Sequence, residues 1–258
     1  MKIHRRLQDG GALHPDPVHE LVPPLRAILT DPVVLSVASY LLFSFIDVGL
    51  RVLRPLFFAT PIRLGGLDMS PPTIGSFLGI FGLLDGIMQG LFFAKVLRRT
   101  GLKRLFVTSL LCFVPLFATF PVIYWFALKR GCSPAVWALV VFQLMINCVT
   151  DMGFGRCPLQ NLRQQNSHRS CCVDPGCAFL YVTSSVDNPR ALGSVNGIGQ
   201  TAASLVRMAS PAMAASLFVY TLENYWLSGL GVYVVFIMIS LCGLPLVYKL
   251  PEKTWEHK

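Results

Sequence analysis

Three aspartates, three arginines and a set of amides stand inside apolar stretches where charge is costly. Asp47 and Arg51 are four residues apart, and Arg54 follows one turn further along the same face. Asp85 and Gln89 repeat the four-residue spacing, with Asp85 the ionisable group in mid-stretch. Gln143, Asn147 and Asp151 form a stripe at helical spacing, and Asn196, Gln200, Ser204 and Arg207 form another. A carboxyl in such surroundings can take up and release a proton, and a neighbouring arginine can hold or free it. Amides can hydrogen-bond a solute. The pattern is that of a proton relay beside a polar cavity. Asp47 and Asp85 are the candidate proton-coupling residues. Arg51, Gln89, Gln143, Asn147, Asn196, Gln200 and Arg207 are the candidate cavity residues, with Arg207 suited to an anionic group. The plainer alternative is that the amides and Ser204 join helices through interhelical hydrogen bonds. Asp151, near the end of its stretch, reads as interfacial.

The elements that must position these residues are membrane helices. Of 258 residues, 53% are apolar and 14% charged, against about 25% charged in an average soluble domain. A bilayer core of about 30 Å needs roughly 20 mainly apolar residues in a helix. Segments 33–62, 73–94, 105–128, 134–155 and 228–248 meet that length, and Leu192–Thr221 is a sixth. Its Ala, Ser and Gly content lowers its hydropathy but suits close helix approach. The fold class is therefore an all-α polytopic membrane protein with six transmembrane helices. Its parts are a tail over 1–31, four helices over 32–155, a polar insert over 156–176, the rest of the fourth helix and the last two helices over 177–249, and a tail over 250–258. The opening residues lack the apolar core of a signal peptide and read as a tail.

Lysine and arginine orient the chain. The N-terminal tail, the 95–104 loop, the 156–190 loop and the C-terminal tail hold four, five, four and three basic residues. The other side holds Arg63, Lys129 and Arg130. Sixteen against three places both termini in the cytoplasm. Lys95, Arg98, Arg99, Lys103 and Arg104 form a cytoplasmic basic loop that sets topology and faces the leaflet's anionic lipids. The net charge of +9 is accounted for in this way, without nucleic acid.

Several six-helix machines are excluded by their mechanics. A water channel needs two Asn-Pro-Ala half-helix turns, and this chain has a single Asn188-Pro189-Arg190. A potassium filter needs a Thr-Val-Gly-Tyr-Gly-like run of carbonyls, and a voltage sensor a longer arginine ladder. The five histidines lie outside the spans, and no nucleophile–base pair or metal set marks an enzyme. No cofactor and no metal is expected.

The insert Arg156–Gly176 is polar and basic, and it cuts an apolar run. Cys157, Cys171, Cys172 and Cys177 with His168 lack the short Cys-x₂₋₄-Cys knuckle of structural zinc sites. The insert is 21 codons long, and codons can be chosen that give it splice-site ends, so it reads as translated intron. Without it, Gly153-Phe-Gly continues into Cys177-Ala-Phe-Leu-Tyr as one helix end. Sequencing the spliced transcript across these codons decides the point.

Specific runs carry a family resemblance. Asp47-Val-Gly-Leu-Arg51, Pro55-Leu-Phe-Phe-Ala-Thr-Pro61-Ile62, Leu64-Gly-Gly-Leu67 and Ser70-Pro-Pro-Thr-Ile-Gly75 resemble fungal major facilitator superfamily transporters. The likeness is to drug:proton-antiporter or zinc-induced-facilitator-like members. Leu192-Gly-Ser-Val-Asn-Gly-Ile-Gly-Gln200 with Pro211 is similar to their eleventh helix. Ala94-Lys-Val-Leu-Arg-Arg-Thr-Gly101-Leu-Lys-Arg104 is similar to a degenerate copy of their basic loop between helices eight and nine. The resemblance covers about residues 15–255 and corresponds to helices seven to twelve of twelve. It implies a secondary active, proton-coupled carrier of small organic molecules in a plasma or vacuolar membrane. Its site would lie between two six-helix halves, so the partners are the bilayer, a small-molecule substrate, protons, and a missing N-terminal half or a second chain. The rival reading is a membrane interaction protein that does not transport, or an inactive truncated product.

Overall fold

The structure is a computed structural model that describes residues 30–131, 133–154 and 192–249. The polar insert, the segment joining it to the fifth helix and most of both tails lie outside these residues. So do the continuity of the fourth helix past Phe154 and the cysteines of the zinc reading.

Six long helices run through the described residues: α1 Asp31–Ala59, α2 Pro71–Thr100, α3 Leu102–Arg130, α4 Pro134–Phe154, α5 Leu192–Glu223 and α6 Gly231–Tyr248. All six are long and apolar enough to cross a membrane, and the chain is an integral membrane protein. Starts and stops follow local chemistry. Asp31 and Pro32 open α1, and Ser70 with Pro71 and Pro72 opens α2, where proline's missing N–H costs nothing. The turn after α1 folds back on the helix end. Leu67, Asp68 and Met69 donate their N–H groups to the carbonyls of Phe57, Thr60 and Phe58, which the helix itself leaves open. Gly66 lies so close to the Phe57 and Thr60 carbonyls that a Cβ there would collide with backbone.

The basic loop over 95–104 is not a loop. Lys95, Arg98 and Arg99 complete α2, while Lys103 and Arg104 begin α3. Gly101 alone separates the helices, at φ 78° and ψ 159°, a backbone that favours glycine. The bilayer ends the apolar run, but nothing there ends the helix, and Arg98 and Arg99 suit its negative C-terminal dipole.

The core is aromatic. Phe43 of α1 packs on Phe106 and Phe113 of α3, and Phe57 meets Phe120 and Tyr233 of α6. Phe120 and Tyr233 stack with ring centroids 4.5 Å apart. α3 therefore lies at the centre, against α4 and α6, while α1 pairs with α5. At Gly49 a Cβ would sit 2.5 Å from the Phe236 ring, so glycine lets α6 close on α1. Ser210 of α5 donates to the Phe45 carbonyl of α1 at 2.7 Å, giving the α1–α5 seam a polar tie. α2 and α5 are the least covered helices. Ile80, Leu83, Leu84, Ile87 and Leu91 of α2 are exposed.

Candidate functional site

Three of the four polar faces converge. Asp47 projects from the middle of α1 and is only 3% exposed. Arg51, one turn on, donates from Nε to both Asp47 oxygens at 3.2 and 3.1 Å. Its Nη2 reaches α4 and donates to Asp151 Oδ1 at 3.0 Å. Asp151 is buried within the bundle although it stands near a helix end. Its other oxygen accepts from Asn147 Nδ2, whose own Oδ1 accepts from Arg54 Nη2 at 2.7 Å. A continuous chain Asp47–Arg51–Asp151–Asn147–Arg54 thus joins α1 to α4.

Asp85 closes the third side from α2. Gln89 donates to Asp85 Oδ2 at 2.7 Å. Arg54 itself is buried over the Phe81 ring of α2, 5.8 Å from its centroid, and its Nε meets no acceptor among the described residues. Unpaired, each of these charges would be expensive at membrane depth. Together they form three carboxyls and two guanidiniums on three helices. The guanidinium of Arg51 is the accessible member, with its side chain 43% exposed against 4% for Asp47.

The remaining predicted residues lie elsewhere. Gln143 is buried and turns to α3, donating to the Leu116 carbonyl at 3.4 Å, which is the helix-joining role. Asn196 and Gln200 are half-buried on α5. Ser204 bonds back to the Gln200 carbonyl at 2.8 Å. Arg207 donates to the Tyr40 hydroxyl of α1 at 2.7 Å and lies over that ring. The fifth helix's polar face is therefore tied to α1 two turns away from Asp47, and does not meet the α2 and α4 faces as a shared cavity requires. A cleft of about 180 Å³ between α1 and α5 is lined by Val33, Val37, Leu41, Val195 and Ile198, all apolar. The oxygens Oε1 of Gln89, Oε1 of Gln143 and Oδ1 of Asn196 are buried acceptors with no donor among the described residues. Lys95, Arg98, Arg99 and Arg104 are exposed at the α2–α3 junction, with Lys103 half-buried.

Sequence spacing found the Asp47–Arg51 and Asp85–Gln89 pairs and overlooked Arg54 and Asp151 as site residues. Their signal was present: Arg54 and Asp151 share a face with residues already singled out.

No family model matches the chain, and no solved structure matches it. Two curated fungal proteins do. The chain is 27% identical over 208 residues to the efflux pump azaK of Aspergillus niger, covering 77% of the chain and 39% of that protein. It is 24% identical over 217 residues to the major facilitator superfamily multidrug transporter mfsB of Aspergillus fumigatus, covering 78% of the chain and 32% of that protein. The chain therefore spans about a third to two fifths of these relatives' length. Both relatives are transporters by name. The similarity is to fungal transporters, as the motif resemblance implied, and six apolar helices without described strands are consistent with half of a major facilitator superfamily fold.

Proposed function

We propose that this chain is the C-terminal six-helix half of a secondary active, proton-coupled carrier of small organic molecules. The observation that carries the reading is the bonded chain Asp47–Arg51–Asp151–Asn147–Arg54 across α1 and α4, with α2 packed on Arg54 through Phe81 one turn from Asp85. A cluster holding more carboxyls than guanidiniums can accept a proton and release it when its exposure changes. Asp47 and Asp85 are assigned the proton, Arg51 the control of Asp47, and the open amide oxygens of Gln89 and Asn196 the hydrogen bonds to solute. Gln200 and Arg207 line the α5 side of the path, with Arg207 placed for an anionic group.

In the working carrier the polar face of α5 and the exposed face of α2 meet a second six-helix unit, either a missing N-terminal half or another chain. The substrate site lies between the two units. Both termini are assigned to the cytoplasm of a fungal plasma or vacuolar membrane. The names of both relatives, an efflux pump and a multidrug transporter, favour transport of foreign small molecules.

The test is reconstitution in vesicles carrying a pH gradient, with a lipophilic cationic dye as the transported probe. The chain alone is compared with the chain joined to the part of the Aspergillus niger relative that its match leaves uncovered. Saturable dye movement that follows the gradient is expected from the joined protein, and none from the chain alone. Saturable movement indifferent to the gradient in the joined protein would remove proton coupling. Gradient-driven flux by a monomer of this chain alone would remove the need for a second half.

A further inference from the structure

Two carboxylates on different helices hold one guanidinium. Arg51 Nε carries a single hydrogen and divides it between the Asp47 oxygens at 3.1 and 3.2 Å. Nη2 gives Asp151 a separate bond at 3.0 Å, and Asn147 fixes the other Asp151 oxygen. The first contact is within α1 and is indifferent to any movement between helices. The second spans α1 and α4 and depends on how close they lie. Arg54 and Asn147 form a second tie between the same two helices.

We propose that Asp151 is a positioning residue for Asp47, holding its share of Arg51 so that a proton arriving on Asp47 hands the guanidinium to Asp151 and draws α4 against α1. The inference rests on the assignment of the proton to Asp47. The proton comes from water and ends on an Asp47 oxygen; Arg51 keeps its charge throughout. With both carboxyls ionised, one guanidinium serves two anions. With Asp47 neutral, the half-exposed Arg51 and the buried Asp151 become a matched pair, and the burial on the Asp151 side strengthens their attraction. A local charge event thereby becomes a change in helix packing, the kind of bistable element a carrier needs.

Of the other charged groups, Arg54 favours the ionised form of Asp47 and the Asp85 charge opposes it, while the rest lie apart. Arg54 on α1 and Asp85 on α2 complete the cluster. On α4, Cys148 is a buried thiol beside Asn147. On α5, Arg207 is held at Tyr40. α6 carries no charged residue between Gly231 and Tyr248, and the basic residues on the α4-facing α3 helix lie at its ends, Lys103 and Arg104 in the first turn and Lys129 and Arg130 in the last.

Cys148 is a built-in reporter. It stands on α4 beside Asn147 and three residues before Asp151, and is 6% exposed, so the packing that buries this face of α4 must part before a reagent reaches its thiol. The experiment measures the alkylation rate of Cys148 in the purified full chain in detergent, read by mass spectrometry, for the parent and three variants. Asp151→Asn is expected to raise the rate at least about tenfold, because one partner of a buried pair is lost. Asp47→Asn, which mimics the protonated residue, is expected to lower it below the parent rate. Asp151→Glu is expected to restore the parent rate to within about twofold.

The opposite signs are the test. A merely structural role for both acids would loosen the junction in both Asn variants, and faster labelling in both overturns the proposal. So does an Asp47→Asn rate equal to the parent. If Asp151→Asn does not fold, the slowing in Asp47→Asn and the rescue in Asp151→Glu still decide it. No substrate or gradient enters this measurement. Opposite signs without dye flux would remove the transport reading alone, and dye flux with equal signs would remove this inference alone.

Discussion

Arg54 on α1 donates to Asn147 on α4 at 2.7 Å across 93 residues of sequence. The guanidinium has Phe81 over its face and is 6% exposed, so Asn147 is a principal polar neighbour for a charge that water scarcely reaches. Hydrogen bonds to buried charged groups contribute about 1.5–3 kcal/mol. Asn147→Ala is expected to lower stability by about 2 kcal/mol, read by thermal unfolding in detergent at fixed lipid content. An unchanged unfolding midpoint would mean that Arg54 is satisfied without it.

Gly49 is where α6 presses on α1. A methyl group there would lie 2.5 Å from Phe236 Cε1 and 3.4 Å from Ser210 Oγ. Overpacking of this kind costs typically about 1–3 kcal/mol. Gly49→Val is expected to destabilise the bundle by about that amount, and Phe236→Leu to recover part of the loss. Equal midpoints for Gly49→Val with and without Phe236→Leu would show that the close approach is not where the damage lies.

The two proposed proton carriers separate from an amide in their chemistry. In the joined protein, Asp47→Asn and Asp85→Asn are expected to abolish gradient-driven dye movement, whereas Asn196→Ala retains coupling and weakens apparent dye affinity. An amide can bind a solute but cannot release a proton at any accessible pH. Undiminished pH-driven flux in both carboxyl variants would refute the assignment.

Topology is checked independently of transport. Single cysteines placed at Thr100 and at Asn224, in a chain otherwise free of reactive thiols, are expected to react with impermeant reagent from opposite sides of the membrane. Thr100 belongs to the basic α2–α3 junction and Asn224 to the turn after α5. Reaction of Thr100→Cys from outside intact cells would invert the orientation read from the lysine and arginine bias.

What was legible in the sequence follows the range of the forces involved. Helix positions come from local apolar runs, and the Asp47–Arg51 pair from a four-residue spacing, so both could be read directly. The Arg51–Asp151 bond joins residues one hundred apart, and only the docking of α4 beside α1 creates it. Gln143 stands on the same stripe as Asn147, yet it turns to the Leu116 carbonyl of α3. Stripe membership fixes a helical face to within a wide arc, and two neighbouring helices fit inside that arc. The 95–104 segment misled for a different reason: hydropathy detects where the bilayer ends, whereas helices end at their own stop signals.

Gly101 has a consequence for how α2 can move. One residue joins α2 to α3, and at the opposite end the 60–70 turn is stitched to the carbonyls of α1, while little of the helix between is covered. A rod fastened at both tips and packed along one side only, through Phe77, Phe81 and Gln89, is barred from sliding and is left to roll and bow between its pivots. Asp85 stands near the midpoint of that rod, at position 15 of 30, where such a motion has its widest swing. The same backbone that keeps α2 in place would therefore carry its carboxyl toward Arg54 on one stroke and toward the uncovered face on the other.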